Sequence, residues 1–336
     1  TAKTLGVPER LRRLQLELHG LPKKRFRTGL KAAKSELIRL LKKRRREQDH
    51  RGPTPYLSQL RAIADVPLPL YKFTESTLRL TPVGPSIAAL PKKMRRAVFD
   101  AYLEVDMSSA QLAIAASAWH LDEVRQFLAE CMGGDKSWWT ELISWLRQEL
   151  PAPRYCPGEH FGAVKGVLKG FTYGLFYGMK RKNLRRLGTP HGPSSDKERY
   201  YESIRMMNRL FLDEMMDPVP RRQVGRIGDT LFRHPLVDRL FRRRQQIFSE
   251  IEAEGSITDC FGRSIDAENR DSNSVLAEYM QNAELLVMLP VGETILSDGD
   301  LRFGLWQHDG VTMAPRRREP WAYRKAVEKT RKALQK

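Results

Sequence analysis

Apolar residues recur three or four positions apart over most of the chain, so the pattern predicts mainly helices, separated by stretches rich in proline and glycine. Leu11, Leu14 and Leu18 lie on one face of a predicted helix from Pro8 to His19, which Gly20-Leu21-Pro22 ends. Leu30, Leu37, Ile38 and Leu41 form the stripe of a second predicted helix, capped by Thr28 and running to about Gln48, and its other face is almost wholly basic. Arg51-Gly52-Pro53-Thr54-Pro55 marks a hinge. Residues 66–92 are expected to be extended and looped, Ala97–Met107 a strand closing on Asp106, and Ala110–His120 a helix. Further helices are expected around Trp138, Trp139 and Trp145 up to Pro151 and Pro153, over Gly162–Leu187, near 196–216 and 235–254, and over Ser272–Leu289. Thr189–Ser195 reads as a loop. A short strand and turn at 255–263, a turn at Asp298-Gly299-Asp300, a hairpin over Phe303–Met313 bending at His308-Asp309, and a basic helix from Glu319 to Lys336 complete the reading. There is no internal repeat.

The 336 residues suffice for one large or two ordinary domains. No apolar run is long enough to cross a bilayer, and the basic first stretch lacks the apolar core of a secretory signal. Charge changes the picture more. The formal net charge is +19, with the excess concentrated early, at Lys23, Lys24, Arg25, Arg27, Lys31 and Lys34 and again from Lys42 to Arg46. Such a field suits a polyanion, nucleic acid ahead of acidic lipid or a merely solvated helix face. The three cysteines are widely spaced and the seven histidines lack metal-ligand spacing. No disulfide framework or zinc site follows, and the expected location is the cytoplasm or another reducing compartment such as a nucleoid, a phage-infected cell or an organelle matrix.

Three separated segments offer chemistry. Val105-Asp106-Met107-Ser108-Ser109-Ala110-Gln111-Leu112 and Leu305-Trp306-Gln307-His308-Asp309-Gly310-Val311 each supply an aspartate, one at a predicted strand end and one in a hairpin bend. Two carboxylates, with the Met107 carbonyl as a further oxygen, suit a pair of divalent cations about 3.5–4 Å apart that activates a 3′-hydroxyl and steadies a leaving pyrophosphate. Between them, Lys165, Lys169, Tyr173 and Tyr177 recur every four positions and so share a helix face. Lysines on such a face bind a triphosphate, a ring one turn on stacks against base and sugar, and Lys169 is placed to protonate the leaving group. Singly, each feature has a plainer reading: a turn aspartate, or an amphipathic helix with solvated lysines. The ordered set carries the argument.

That set resembles the polymerase module of family A DNA polymerases, the bacterial polymerase I-like group, over residues 70–315. The family's Asp-Tyr-Ser-Gln-Ile-Glu-Leu pattern is read here from Asp106 to Leu112. Its Arg-x-x-x-Lys-x-x-x-Phe/Tyr-Gly-x-x-Tyr-Gly pattern is read at Lys165, Lys169, Tyr173-Gly174 and Tyr177-Gly178. Its His-Asp-Glu is read at His308-Asp309-Gly310. Thr77-Leu78-Arg79-Leu80-Thr81 with Ile87-Ala88-Ala89-Leu90-Pro91, then Cys260-Phe261-Gly262-Arg263, and Met280-Gln281-Asn282-Ala283 follow in the family's order. The resemblance implies an α+β right-hand polymerase fold with an antiparallel-sheet palm, helical fingers and a small helical thumb. It divides the chain into a basic thumb (1–70), a first palm part (71–120), fingers (121–255, with an insertion near 190–233) and a second palm part (256–336).

Primer extension with dNTPs on primer-template DNA is the activity implied, with two Mg2+ ions for which Mn2+ substitutes. No proofreading domain fits into residues 1–70, and a clamp, primase or helicase is the implied partner of so small a thumb. Asp106 and Asp309 become metal ligands with Met107, and Lys169 joins them as catalytic. Lys165, Lys169, Tyr173, Tyr177 and Gln111 surround the nucleotide. Arg79 and Gln281 touch the minor groove of the terminal pair, where acceptors are degenerate among base pairs. His308 lies against nucleic acid, and Lys42, Lys43, Arg44 and Arg45 grip the duplex backbone.

Four departures qualify the pattern. Lys165 stands where Arg is usual. Gln111 stands where Glu excludes the ribose 2′-hydroxyl, and its amide donates as well as accepts, so weaker exclusion of NTPs is expected. Tyr173 stands where many relatives have Phe, so dideoxynucleotides are expected to be accepted. Gly310 leaves two acidic groups rather than three. The alternatives are a primase-like or RNA-synthesising enzyme of the same fold, and a catalytically silent relative that binds nucleic acid.

Overall fold

A computed structural model describes residues 6–334, apart from 20–22, 47–55, 66–69, 75–77, 91, 107–108, 133, 135, 152–153, 188–193, 213–224 and 308–309. The chain forms two compact units, residues 1–108 with 284–336 and residues 109–283.

The first unit opens with α1 (Val7–His19), α2 (Lys23–Arg46) and α3 (Tyr56–Asp65), followed by a hairpin of β1 (Tyr71–Thr74) and β2 (Arg79–Pro82). After a 3₁₀ turn at Ile87–Ala89 come α4 (Lys92–Val98) and β3 (Leu103–Asp106). The second unit holds α5 (Ala110–Ala118), α6 (Asp122–Cys131), α7 (Trp138–Glu149), α8 (Pro157–Phe176), α9 (Arg181–Arg185), α10 (Ser194–Phe211), α11 (Arg226–Arg233) and α12 (Pro235–Glu254). A hairpin of β4 (Ser256–Thr258) and β5 (Ser264–Asp266) leads into α13 (Ser272–Ser297), within which the division between the units falls. β6 (Leu301–Trp306), β7 (Gly310–Pro315) and α14 (Pro320–Leu334) return to the first unit. The result is a mixed, mainly helical fold with small antiparallel sheets, and among the described residues no helix is long and apolar enough to cross a membrane.

In the first unit the sheet order is β3-β7-β6, antiparallel throughout. β7 is central and buried along its whole length, which explains why Gly310–Pro315 reads as an apolar run and not an alternation. Leu11, Leu14 and Leu18 of α1 are buried as their spacing predicts. Gly29 of α2 meets α4 so closely that a Cβ there would sit 2.2 Å from the Val98 carbonyl oxygen.

Four boundaries differ from the pattern-based reading. α2 starts at Lys23, five residues before the expected cap at Thr28, since Lys and Arg are themselves good helix formers. The expected strand over Ala97–Met107 begins only at Leu103: Val98 completes α4, and Ala101 turns the chain with φ of 64°. The expected helix Gly162–Leu187 is two pieces. α8 starts earlier, at Pro157, with proline in the first turn where no N–H is required. It stops at Phe176, because Gly178 adopts φ of 78° with Asn273 packed where a side chain would go, and α9 restarts at Arg181. α13 continues past Leu289 through Pro290 to Ser297, its later residues Val291 and Ile295 being buried. The expected hinge at 51–55 and most of the loop 189–195 lie outside the described residues.

Candidate active site

The candidate residues fall in both units. In the first, Asp106 ends β3, and the ladder sets Leu103, Glu104, Val105 and Asp106 opposite Met313, Thr312, Val311 and Gly310. Gly310 is the residue after Asp309 in the sequence. Met107, His308 and Asp309 lie outside the described residues, as does the Asp106 side chain. β6 and β7 form the hairpin that the sequence pattern predicts, with a bulge between Phe303 and Leu305.

Two features here escape sequence reasoning. Glu104 lies two residues before Asp106 on β3, and its carboxylate sits 3.7 Å from Arg95 and 3.6 Å from Arg96 of α4. Both cations pair with this one acid. Tyr71 of β1, wholly buried, donates its hydroxyl to the Trp306 carbonyl at 2.8 Å and accepts from the Trp306 N–H at 3.0 Å. The last residue of β6, two before His308, is therefore fixed from both sides of its backbone. Burial pushes the Tyr71 phenol up, so it stays neutral. Both partnerships involve residues with no local sequence signature. Arg79 is half-buried at the start of β2 opposite Thr74. Lys42 is exposed on α2, which also carries Lys43, Arg44 and Arg45, whose side chains are not described.

In the second unit, Lys165, Lys169 and Tyr173 lie along α8 and Tyr177 caps its C-terminus. The Lys169 ammonium stands 5.0 Å over the Tyr173 ring, and the rings of Tyr173 and Tyr177 meet edge to face at 6.4 Å. Lys165 is half-buried, its ammonium 5.8 Å over Trp139 and 5.9 Å over Phe161. The spaced set is thus one face with two cations followed by two rings, as the four-residue period requires.

The opposite side of α8 is core. Val164, Leu168, Phe171 and Leu175 are fully buried, and Trp138 donates its indole N–H to Thr172 at 3.1 Å. Arg244 of α12, 1% exposed, reaches the C-terminus of α8 and donates to the carbonyls of Leu175 at 3.0 Å and Met179 at 3.1 Å. Its guanidinium lies 4.7 Å over Phe241. Burial lowers its pKa to about 10, still high enough to keep the cation at neutral pH.

Gln111 is buried in the first turn of α5, which packs on α8. Gln281 is half-buried on α13 beside Asn282, whose side-chain amide donates to buried Asp259 at 2.8 Å. The other Asp259 oxygen accepts the N–H groups of Phe261 and Arg263, both at 2.9 Å, and Gly262 takes φ of 76°. This fixes the Cys260-Phe261-Gly262-Arg263 turn singled out in the sequence. Among the described residues, no cluster of three or more His, Cys, Asp or Glu side chains is arranged to hold a metal ion.

No protein-family model matches the sequence, and no curated protein does. Among solved structures the chain is similar to the polymerase domain of Pol1 from M. smegmatis, in complex with a DNA primer-template and dNTP, at a TM-score of 0.54 and 14% identity. The match covers 82% of this chain and 46% of that one, so this chain spans less than half of that protein's length. At such identity the likeness is one of fold: the mixed helical architecture with small antiparallel sheets is similar to that of this polymerase domain.

Proposed function

We propose that the chain performs template-directed nucleotidyl transfer, extending a primer 3′-end with dNTPs. The observation that carries this reading is the ladder register of Asp106 opposite Gly310, the neighbour of Asp309 in the sequence. Two carboxylates, one ending β3 and one next in sequence to the residue paired with it, are the kind of hard-oxygen donors that magnesium requires. The ion pairs of Glu104 with Arg95 and Arg96 are consistent with a site reserved for two acids. In this reading Asp106, Asp309 and the Met107 carbonyl hold Mg2+ or Mn2+, which when bound supplies charge neutralisation at the phosphates. The fold likeness to a polymerase domain solved with primer-template and dNTP supports the same conclusion.

The remaining roles belong to this chain's own side chains. Lys165 and Lys169 bind the triphosphate, Lys169 holds at Nζ the proton for the departing pyrophosphate, and Tyr173 and Tyr177 stack beside the incoming base. Gln111 flanks the sugar. Arg79 and Gln281 test the minor groove of the terminal pair, His308 contacts the primer, and Lys42, Lys43, Arg44 and Arg45 hold the product backbone without reading sequence. On this reading α1–α3 are a reduced thumb, residues 71–120 and 256–336 with β3, β6 and β7 are palm, and α6–α12 are fingers.

Primer extension on a primer-template with Mg2+ tests the proposal. Wild-type chain adds dNTPs, while Asp106→Ala and Asp309→Ala each lower addition by about 10³-fold or more and keep duplex binding. Synthesis retained in either variant sinks the two-carboxylate assignment. One observation favours a second reading, RNA or mixed-sugar synthesis: the residue buried at the start of α5 is an amide, not the acid that the resembled family places there. Incorporation of NTPs as readily as dNTPs, or synthesis begun without a primer, would select that reading.

A further inference from the structure

One side of α14, next to its buried Ala322 and Ala326, carries a feature that the proposed reaction does not use. Trp321, Lys325 and Lys329 are spaced four apart and share that face. Together with Arg317, Asp300, Leu301 and Pro315 they line a cavity of about 180 Å³ in the first unit. Trp321 is 46% exposed, and the Arg317 guanidinium stands 5.9 Å from its ring centroid. Arg316, Arg317, Arg318 and Arg324 on the same segment are all exposed. The cavity is smaller than the ~300 Å³ at which pockets take a drug-sized ligand, so it admits one flat ring and not a whole nucleotide.

An indole left half in water beside a small apolar-floored cavity and a row of cations fits a ligand that offers a flat ring on an anionic backbone. We infer that this face is a stacking site for single-stranded nucleic acid: one base enters against Trp321, and the flanking phosphates lie along Arg316, Arg317, Arg318 and Arg324. A duplex keeps its bases stacked and cannot offer one. Lys325 and Lys329 contribute less charge than their number implies. Lys329 is paired with Asp298 and lies 3.7 Å from Asp300, and Lys325 lies 4.0 Å from Asp300.

Asp300 gives the site a preference. A carboxylate only accepts hydrogen bonds, so it favours the exocyclic amine of cytosine over thymine, whose edge presents oxygen at that position. The site makes no use of the catalytic residues and stands or falls apart from the polymerase reading.

Fluorescence anisotropy with end-labelled oligo(dC) and oligo(dT) ten-mers, using the full chain at ~0.1 M salt, tests this. Trp321→Ala weakens oligo(dC) binding by about tenfold, and Trp321→Phe restores most of it. Arg317→Gln, a change at an exposed position that does not endanger folding, weakens it about threefold. Asp300→Asn narrows the gap between oligo(dC) and oligo(dT). Dye-free primer extension on a template with a one-nucleotide overhang is unchanged in Trp321→Ala, which separates this site from the reaction centre. Unchanged oligo(dC) affinity in both Trp321→Ala and Arg317→Gln overturns the inference, as does a Phe variant as weak as the Ala variant. Loss of self-association in Trp321→Ala with single-strand binding intact also overturns it, assigning the face to a second copy of the chain.

Discussion

Arg244 and Tyr71 serve the two units in the same way, one as a cation and the other as a neutral hydroxyl. Each is almost wholly buried, and each grips the backbone where a candidate segment ends. Arg244 holds the Leu175 and Met179 carbonyls at the end of the face bearing Lys169, Tyr173 and Tyr177. Tyr71 holds both backbone groups of Trp306 just before His308-Asp309. What differs is how the clamp's own burial is balanced. A phenol with donor and acceptor both used is satisfied by one residue. A guanidinium needs compensation for its charge, and its described partners are carbonyl oxygens and aromatic faces, not a carboxylate. The C-terminal carbonyls of a helix carry partial negative charge, so the end of α8 itself acts as the counter-ion. Two kinds of clamp can therefore fix two pieces of backbone, but the charged one ties helix geometry and stability together more tightly.

Replacing Arg244 is the severest test of that difference. Arg244→Met keeps the stem near Phe241 and Phe248 but leaves the buried Leu175 carbonyl and the half-buried Met179 carbonyl without this donor, so it is expected to destabilise the chain by about 3 kcal/mol. Arg244→Lys, which keeps charge but loses the fork, is expected to fall between Met and wild type. Urea denaturation measures both. A loss below about 1 kcal/mol for Met would mean that the cation contributes no more than a neutral group, and the contrast with Tyr71 would disappear.

These clamps mark where the sequence stops being legible. The Lys165–Tyr177 face was readable because four-residue spacing is local and α8 preserves it. The hairpin over Phe303–Met313 was readable for the same reason, its turn lying between two apolar runs. The end of α8 was not, since Tyr177-Gly178 looks compatible with helix until Asn273, far along the chain, is seen to require a glycine there. The run from Ala97 to Met107 misled because apolar residues in a short stretch satisfy either period. Met94, Val98 and Phe99 are buried from α4 and its last turn, not from a strand. Arg244 and Tyr71 themselves bond residues 69 and 235 positions away, and neither has a neighbour in sequence that foretells its partner. Glu104, likewise, gives no sign in the sequence of its ion pairs with Arg95 and Arg96.

Asp259 sharpens the comparison within the second unit, as a buried acid where Arg244 is a buried base. Asp259→Ala removes the acceptor for Phe261, Arg263 and Asn282 and leaves the buried Asn282 amide without it. A loss of about 2 kcal/mol in thermal or urea unfolding is expected, with Asp259→Asn recovering part of it. Tyr71→Phe is the matching change in the first unit. It strips one hydroxyl from Trp306, whose strand pairing to Val311 survives, so about 1.5 kcal/mol is expected. A Tyr71→Phe loss larger than that of Arg244→Met would reverse the ranking and show the neutral clamp to be the stronger.

The smallest expected effect concerns His234, a third buried polar group, at the junction of α11 and α12. It is 2% exposed, its ring lies edge-on to Trp138 and Trp145 at 5.9 and 5.1 Å, and Glu141 faces it at 3.3 Å. Burial holds its pKa below the usual 6.5, opposed in part by the hydrogen bond to Glu141. The sign follows from which state takes the proton first. Above about pH 6.5 the imidazole is neutral in both states. As pH falls the unfolded chain protonates before the folded one, so stability declines until the lower folded pKa is passed. His234→Gln cannot take up that proton. Its stability deficit relative to wild type should therefore narrow between pH 7.5 and pH 5, measured by thermal melting at matched ionic strength. A deficit that widens on acidification would mean that Glu141 outweighs burial and His234 is held as a cation, which would make it a second charged clamp in the manner of Arg244.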